Sequence, residues 1–132
     1  MNYLIQKIKD LLSGAKYTSN QDAAEIIRRF VKGNGGLYEW DDFETTREKN
    51  PDVELALHLC WYFARKYPPQ DSTAYCGQKA CSYFLRIAEA LEKNWFRNID
   101  HRTAKQALER NELPEAIKRI LETSNDHMGH NT

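Results

Sequence analysis

The chain has no long hydrophobic run. No stretch of its 132 residues approaches the ~20 apolar positions needed to cross a bilayer. Lys7, Lys9 and Asp10 interrupt the apolar residues between Met1 and Leu12, and no small-residue cleavage site follows them. The expectation is therefore no membrane partner, no secretion signal and a cytoplasmic location. Net charge is missing as well: 19 Lys and Arg balance 19 Asp and Glu. A neutral total gives no support to general nucleic-acid binding, which rests on neutralising many phosphates. Cysteine is scarce, with only Cys60, Cys76 and Cys81, and no Cys-x-x-Cys pair suggests a redox enzyme.

An odd cysteine count without a secretion signal predicts reduced thiols, buried in or near the core. Cys60 lies inside an apolar run. Cys76 and Cys81 are five positions apart; on one continuous helix their side chains diverge by ~140°, which excludes a mutual bridge or a shared metal. Nucleotide and hydrolase motifs are absent too. Gly33-Asn34-Gly35-Gly36 is followed by no Gly-Lys-Ser/Thr and preceded by no strand pattern, and neither Gly-x-Ser-x-Gly nor His-Glu-x-x-His occurs. There is no fixed-period repeat, no low-complexity stretch and no period-two alternation, so no strand is expected.

Helical periodicity is present throughout. Leu4, Ile5, Ile8, Leu11 and Leu12 mark an amphipathic helix over 2–12. A second helix starts at Ser19 or Asn20 and buries Ala23, Ala24, Ile26, Ile27, Phe30 and Val31. The glycines at 33–36 break it. A short helix is expected over 41–49, with Asp41 as its cap or first-turn anion. Asn50-Pro51 opens the most apolar helix, about 51–67, which Pro68-Pro69 ends. A long helix follows from Asp71 or Ser72 to about Asn94, and two shorter ones span 101–110 and 113–123. The fold class is all-α: an irregular bundle of about six or seven helices around the apolar helix at 51–67. Residues 1–123 form a single domain in this reading, and 124–132 a polar, disordered tail.

Charge is unevenly spread. Residues 34–72 hold eight acidic and four basic groups, whereas 1–33 hold three and six. Within the acidic region the glycine-rich break delivers Tyr38, Trp40, Asp41, Asp42 and Glu44. Aromatic anchors among carboxylates are what a surface for a basic partner uses. The competing account places Trp40 and Phe43 over the core and the acids in water around a helix start. Adjacent Asp41 and Asp42 point ~100° apart on a helix and have no opposing group for acid–base chemistry.

Of the histidines, His58 sits in the most apolar helix and is the candidate base, with Asp41 or Glu54, if the chain is an enzyme. The competing account is a hydrogen-bonded core histidine. His101 reads as surface. Asp126, His127 and His130 stand in the polar tail without further ligands, so no metal site is expected. Arg97, Arg102, Lys105 and Arg110 form a modest basic run, interrupted by Asp100, Glu109 and Glu112, and read as a solvated mixed face rather than a nucleic-acid surface.

Tyr38-Glu39-Trp40-Asp41-Asp42-Phe43, with Asn50-Pro51-Asp52-Val53-Glu54 after it, resembles small uncharacterised bacterial helical proteins. In these an aromatic-Trp-Asp-Asp-Phe stretch precedes an Asp/Asn-Pro helix start. The resemblance spans 38–91 and carries no motif of known chemistry. It implies an immunity-type or regulatory role exercised through the acidic-aromatic segment. The reading is thus a non-catalytic protein-binding module with no cofactor, no metal and no catalytic residue. Its contacts are Tyr38, Trp40, Asp41, Asp42 and Glu44, and its partner is another protein of basic character.

Overall fold

The computed structural model describes residues 15–33, 36–70 and 77–130, together with Ile5; at 36–38 and 123–130 it describes backbone only. Apart from Ile5, the expected helix at 2–12 lies outside these residues. Among those described, six helices and a two-strand parallel pairing follow one another: β1 Ala15–Lys16, α1 Asn20–Lys32, α2 Gly36–Thr45, β2 Arg47–Glu48, α3 Pro51–Lys66, α4 Gln78–Glu92, α5 His101–Glu109 and α6 Glu115–His130. The chain is all-α in class, an irregular helical bundle.

Local chemistry sets the helix ends. The Ser19 side chain accepts from the Asp22 N–H, and Arg29 and Lys32 stand in the last turn of α1. Gly33 closes that helix at a φ of 74°, a left-handed position that favours glycine. Asn50 caps α3, with Pro51 in its first turn and Asp52 and Glu54 beside the unpaired N–H groups. Asp100 caps α5 by accepting from Thr103 N, and this bonding holds its carboxyl below the usual carboxylate range.

The core gathers Ile27 and Phe30 of α1, Phe43 of α2, Leu55, Leu59 and Phe63 of α3, Phe84, Ile87 and Leu91 of α4, and Ile117 and Leu121 of α6. α3 is the most thoroughly buried helix and packs on α4 and α5. α4 shares the centre with it, contacting α1, α3 and α6. Three boundaries differ from expectation. α2 begins at Gly36, inside the glycine run, and ends at Thr45 rather than continuing to Lys49. α4 begins at Gln78, with residues 71–76 outside the description. α6 continues to His130, past the expected stop near Thr123.

Gly77 therefore caps α4 instead of lying within it. A Cβ there would stand 2.4 Å from Tyr67 O and 2.9 Å from Pro68 O, so the close approach is to the backbone that ends α3. Gly77→Ala is expected to destabilise the fold by about 1–3 kcal/mol, because backbone must move. Urea denaturation checks this; an unchanged midpoint would mean the α3–α4 turn shifts freely.

The cysteine expectation needs correction. Cys60 is free and buried, and burial pushes its thiol far above the ordinary range. Cys81 is disulfide-bonded; Cys76 lies outside the described residues. The divergence argument assumed one helix through both positions, whereas α4 starts only at Gln78. The inference of a reducing compartment from free thiols loses its basis at Cys81. No helix among the described residues is long and apolar enough to cross a membrane.

Two neighbouring clefts at the α2–α3 edge

The polar stripe of α3 organises the candidate site. Glu54, His58, Trp61 and Arg65 recur every three or four residues, and they interrupt an otherwise buried helix. Trp61 retains 36% of its surface. Its Nε1 donates to Glu44 Oε2 at 3.1 Å, and its ring meets the His58 ring edge-on at 5.0 Å. The Trp61–Glu44 pair separates two clefts. One, of about 200 Å³, is mainly apolar, with Phe30, Trp40, Cys60 and Phe84 in its wall. The other, of about 230 Å³, is lined mostly by polar residues, with Glu48, Glu54, His58 and Arg47 in its wall. Glu44 and Trp61 line both.

The expected contact residues divide around this arrangement. Trp40 is part-buried and stacked on Phe30, with ring centroids 4.1 Å apart, and it also lies against Phe84 and Phe43. It packs against the core and forms cleft wall. Asp41 and Asp42 are exposed; Asp42 Oδ1 accepts from Thr46 Oγ1 at 3.3 Å. Glu44 is the residue that reaches the clefts. The side chain of Tyr38 lies outside the description. Neighbouring Glu39 is committed elsewhere, gripping Arg29 through two bonds of 2.9 and 3.0 Å.

The account of these acids as helix-start residues is overturned. α2 starts at Gly36, so Asp41, Asp42 and Glu44 occupy its second half, where the helix dipole disfavours anions. No basic residue stands in the last turn. Lys16 compensates from β1: its Nζ donates to Asp42 O at 3.1 Å and Phe43 O at 2.9 Å, supplying a cation to the last carbonyls. Burial lowers the Lys16 pKa, while Glu48 and Asp42 oppose that.

The other two carboxylates of the polar cleft are tied to the fold. Glu54 forms an ion pair with Lys105 of α5. Glu48 is buried; its Oε2 accepts from Thr18 N at 2.8 Å and Asn50 N at 3.1 Å, while Oε1 has no hydrogen-bond partner. Glu44, Asp41 and Asp42 thus carry the unneutralised negative charge, having no ion pair among the described residues.

His58 is half-buried, and burial lowers its pKa below the ordinary value despite Glu54 one turn away. It accepts or donates no hydrogen bond among the described residues, so no carboxylate orients it as a catalytic base, and Asp41 does not line its cleft. A folded-state pKa below the unfolded value means that the unfolded chain binds more protons between the two. Stability from this site is complete above about pH 6.5 and is lost as pH falls toward the depressed value. His58→Gln is expected to flatten the stability profile between pH 7 and 5. Unfolding midpoints across that range would show it, and parallel curves would refute it.

Sequence reasoning missed the oriented histidine. His101, expected at the surface, meets Asp52 Oδ1 with its Nε2 at 2.7 Å, and both side chains are about four-fifths buried. Asn20 Nδ2 bonds Asp52 Oδ2, Leu91 O and Asn94 Oδ1, and Asn50 Nδ2 bonds Asn20 Oδ1 and Thr18 O. This network ties the starts of α1, α3 and α5 together, and it lines neither cleft. Sequence reasoning also missed Trp61, which its apolar neighbours disguised. Lys105 and Arg110 of the basic run pair with Glu54 and Glu112.

Among the described residues no three His, Cys, Asp or Glu side chains converge as metal ligands. Asp126, His127 and His130 have side chains outside the description. No protein-family model, curated protein or solved structure matches the chain.

Proposed function

We propose that the protein is a non-catalytic protein-binding module, of regulatory or immunity type, whose α2–α3 edge receives a segment of a basic protein partner. One observation carries the reading: the Trp61–Glu44 pair stands between a mainly apolar cleft and one lined mostly by polar residues. A segment with a basic side chain beside an apolar one matches that division. The basic group meets Glu44, with Asp41 and Asp42 adding charge, and the Trp61 ring offers a face for a cation. The apolar group enters between Phe30, Trp40 and Phe84. The location of acids in the unfavourable half of α2 supports a role other than holding the helix.

The test is affinity capture of the partner by wild type and by Asp41→Asn/Asp42→Asn/Glu44→Gln, followed by titration of the captured protein. The variant should bind at least tenfold more weakly while unfolding no more easily. It should gain roughly 0.5–1 kcal/mol, since removing anions from the end of a helix relieves the dipole. Equal affinity for both proteins would refute the acidic surface. A destabilised variant would show that the carboxylates serve the fold.

A further inference from the structure

A second surface, at the C-terminal end of α3, has the opposite charge. Arg65 and Lys66 of α3, together with the buried Tyr62 and Asn111 of the α5–α6 turn, line a cleft of about 330 Å³. Every one of these side chains presents a hydrogen-bond donor, and among the described residues no carboxylate shares the wall. Lys66 Nζ donates to Tyr62 Oη at 3.2 Å and lies 5.5 Å from that ring's centroid, which fixes the ammonium at the cleft. Asn111 holds a φ of 63°, a left-handed conformation that asparagine tolerates.

The surroundings reinforce the charge. Phe63, Tyr67 and Tyr83 lie nearly parallel, with Phe63 and Tyr83 centroids 4.0 Å apart. Lys79 stands 4.7 Å above the Tyr67 ring and Arg86 5.0 Å from that of Tyr83. None of Arg65, Lys66, Lys79 and Arg86 has an ion pair among the described residues. Arg28, Arg29, Lys93 and Lys105, by contrast, meet carboxylates, while some other surface cations among the described residues do not. Three of these cations, Lys66, Lys79 and Arg86, are held by rings instead of acids, and all four keep their charge available to an external anion.

We infer that this cleft is a binding site for the phosphate group of a small phosphate monoester. Phosphate suits the Arg65 fork and the Lys66 point charge together, because its two negative charges match both and its oxygens accept all the donors present. A volume of about 330 Å³ leaves room for the organic part of a small ligand. The cations already cover the tyrosine faces, so the rings offer no platform for stacked nucleobases.

The test is an NMR titration at pH 7.5 and constant ionic strength, with inorganic phosphate, glycerol 3-phosphate and a single-stranded oligonucleotide as separate probes. Signals of the Asn111 amide and the Arg65 Nε–H are followed. The expected result is a saturable shift confined to residues 62–66 and 110–112, tighter for the monoester than for inorganic phosphate. Arg65→Gln/Lys66→Gln should weaken binding at least tenfold. Asn111→Gly, which suits the left-handed backbone, should weaken it without changing the unfolding midpoint. Shifts that never saturate, that spread over all basic residues, or that persist in the double variant would overturn the site. So would an oligonucleotide that binds in a salt-dependent manner more tightly than the monoester.

Discussion

Replacing Phe84 by alanine is expected to remove about 3–5 kcal/mol of unfolding free energy, the range for truncating a fully buried phenylalanine. For a domain of this size that lowers the melting temperature by on the order of 10–20 °C. Phe84 is 1% exposed and belongs to α4, one of the two helices at the centre. Its ring lies 5.9 Å from Phe30 of α1 and 5.7 Å from Trp40 of α2. The truncation therefore opens a void where three helices meet. The same change strips one wall from the apolar cleft, so partner affinity should fall together with stability. Thermal and urea unfolding followed by circular dichroism check the first effect. A loss below about 1.5 kcal/mol would mean that α2 collapses into the void.

Asn50→Ala is expected to cost about 2–4 kcal/mol although no apolar contact is lost. Asn50 is 5% exposed, and its side chain serves three partners. Its Oδ1 accepts from Asp52 N at 3.1 Å as the cap of α3, and its Nδ2 donates to Thr18 O and Asn20 Oδ1 at 2.7 and 2.8 Å. Loss of a cap costs ~1 kcal/mol. Leaving two part-buried acceptors without donors adds about 1–3 kcal/mol. Asn50→Asp separates the two contributions. Aspartate keeps the capping oxygen but donates nothing, and it sets a charge beside Glu48 and Asp52. It should be at least as destabilising as alanine at pH 7, with the deficit shrinking as pH falls and carboxylates protonate. If aspartate proved harmless, Asn50 would act as a cap alone.

These residues also show how much could be read beforehand. Ser19, Asn50 and Asp100 were recognisable as caps because a short polar side chain before an apolar periodic run has one strong local use. The buried face of α1, and Gly33 as its stop, follow from the same local rules. The start of α2 did not follow, since glycines permit a helix as well as a break and only packing against α1 decides. The pairing of Ala15–Lys16 with Arg47–Glu48 is two residues long, too short for any periodic signal. His101 and Asp52 are 49 positions apart, and nothing local announces their meeting.

The candidate site was legible in part. Asp41, Asp42 and Glu44 were recognisable by composition, but their unfavourable place in α2 was not. Trp61 was hidden by the apolar residues on both sides of it, yet the spacing of Glu54, His58, Trp61 and Arg65 contained the signal. The basic cleft was harder to see, because Arg65 and Lys66 belong to the most acidic third of the chain. Asn111 joins them only through the tertiary fold.

The short parallel pairing has a consequence for motion. Lys16 bonds with residues on both sides of it: Lys49 N donates to its carbonyl at 2.8 Å, while its own Nζ holds the end of α2. Residues 15–50 are thereby a loop fastened at its base, with α1 and α2 inside. Neither helix can peel away as a free end. Opening one means breaking the clasp, the Asn50 network and the aromatic stack together, so the α2 side of the site is released as a single cooperative unit or not at all. Under the proposed function, a surface held in this way is set before any encounter, and little ordering entropy is left to lose on binding.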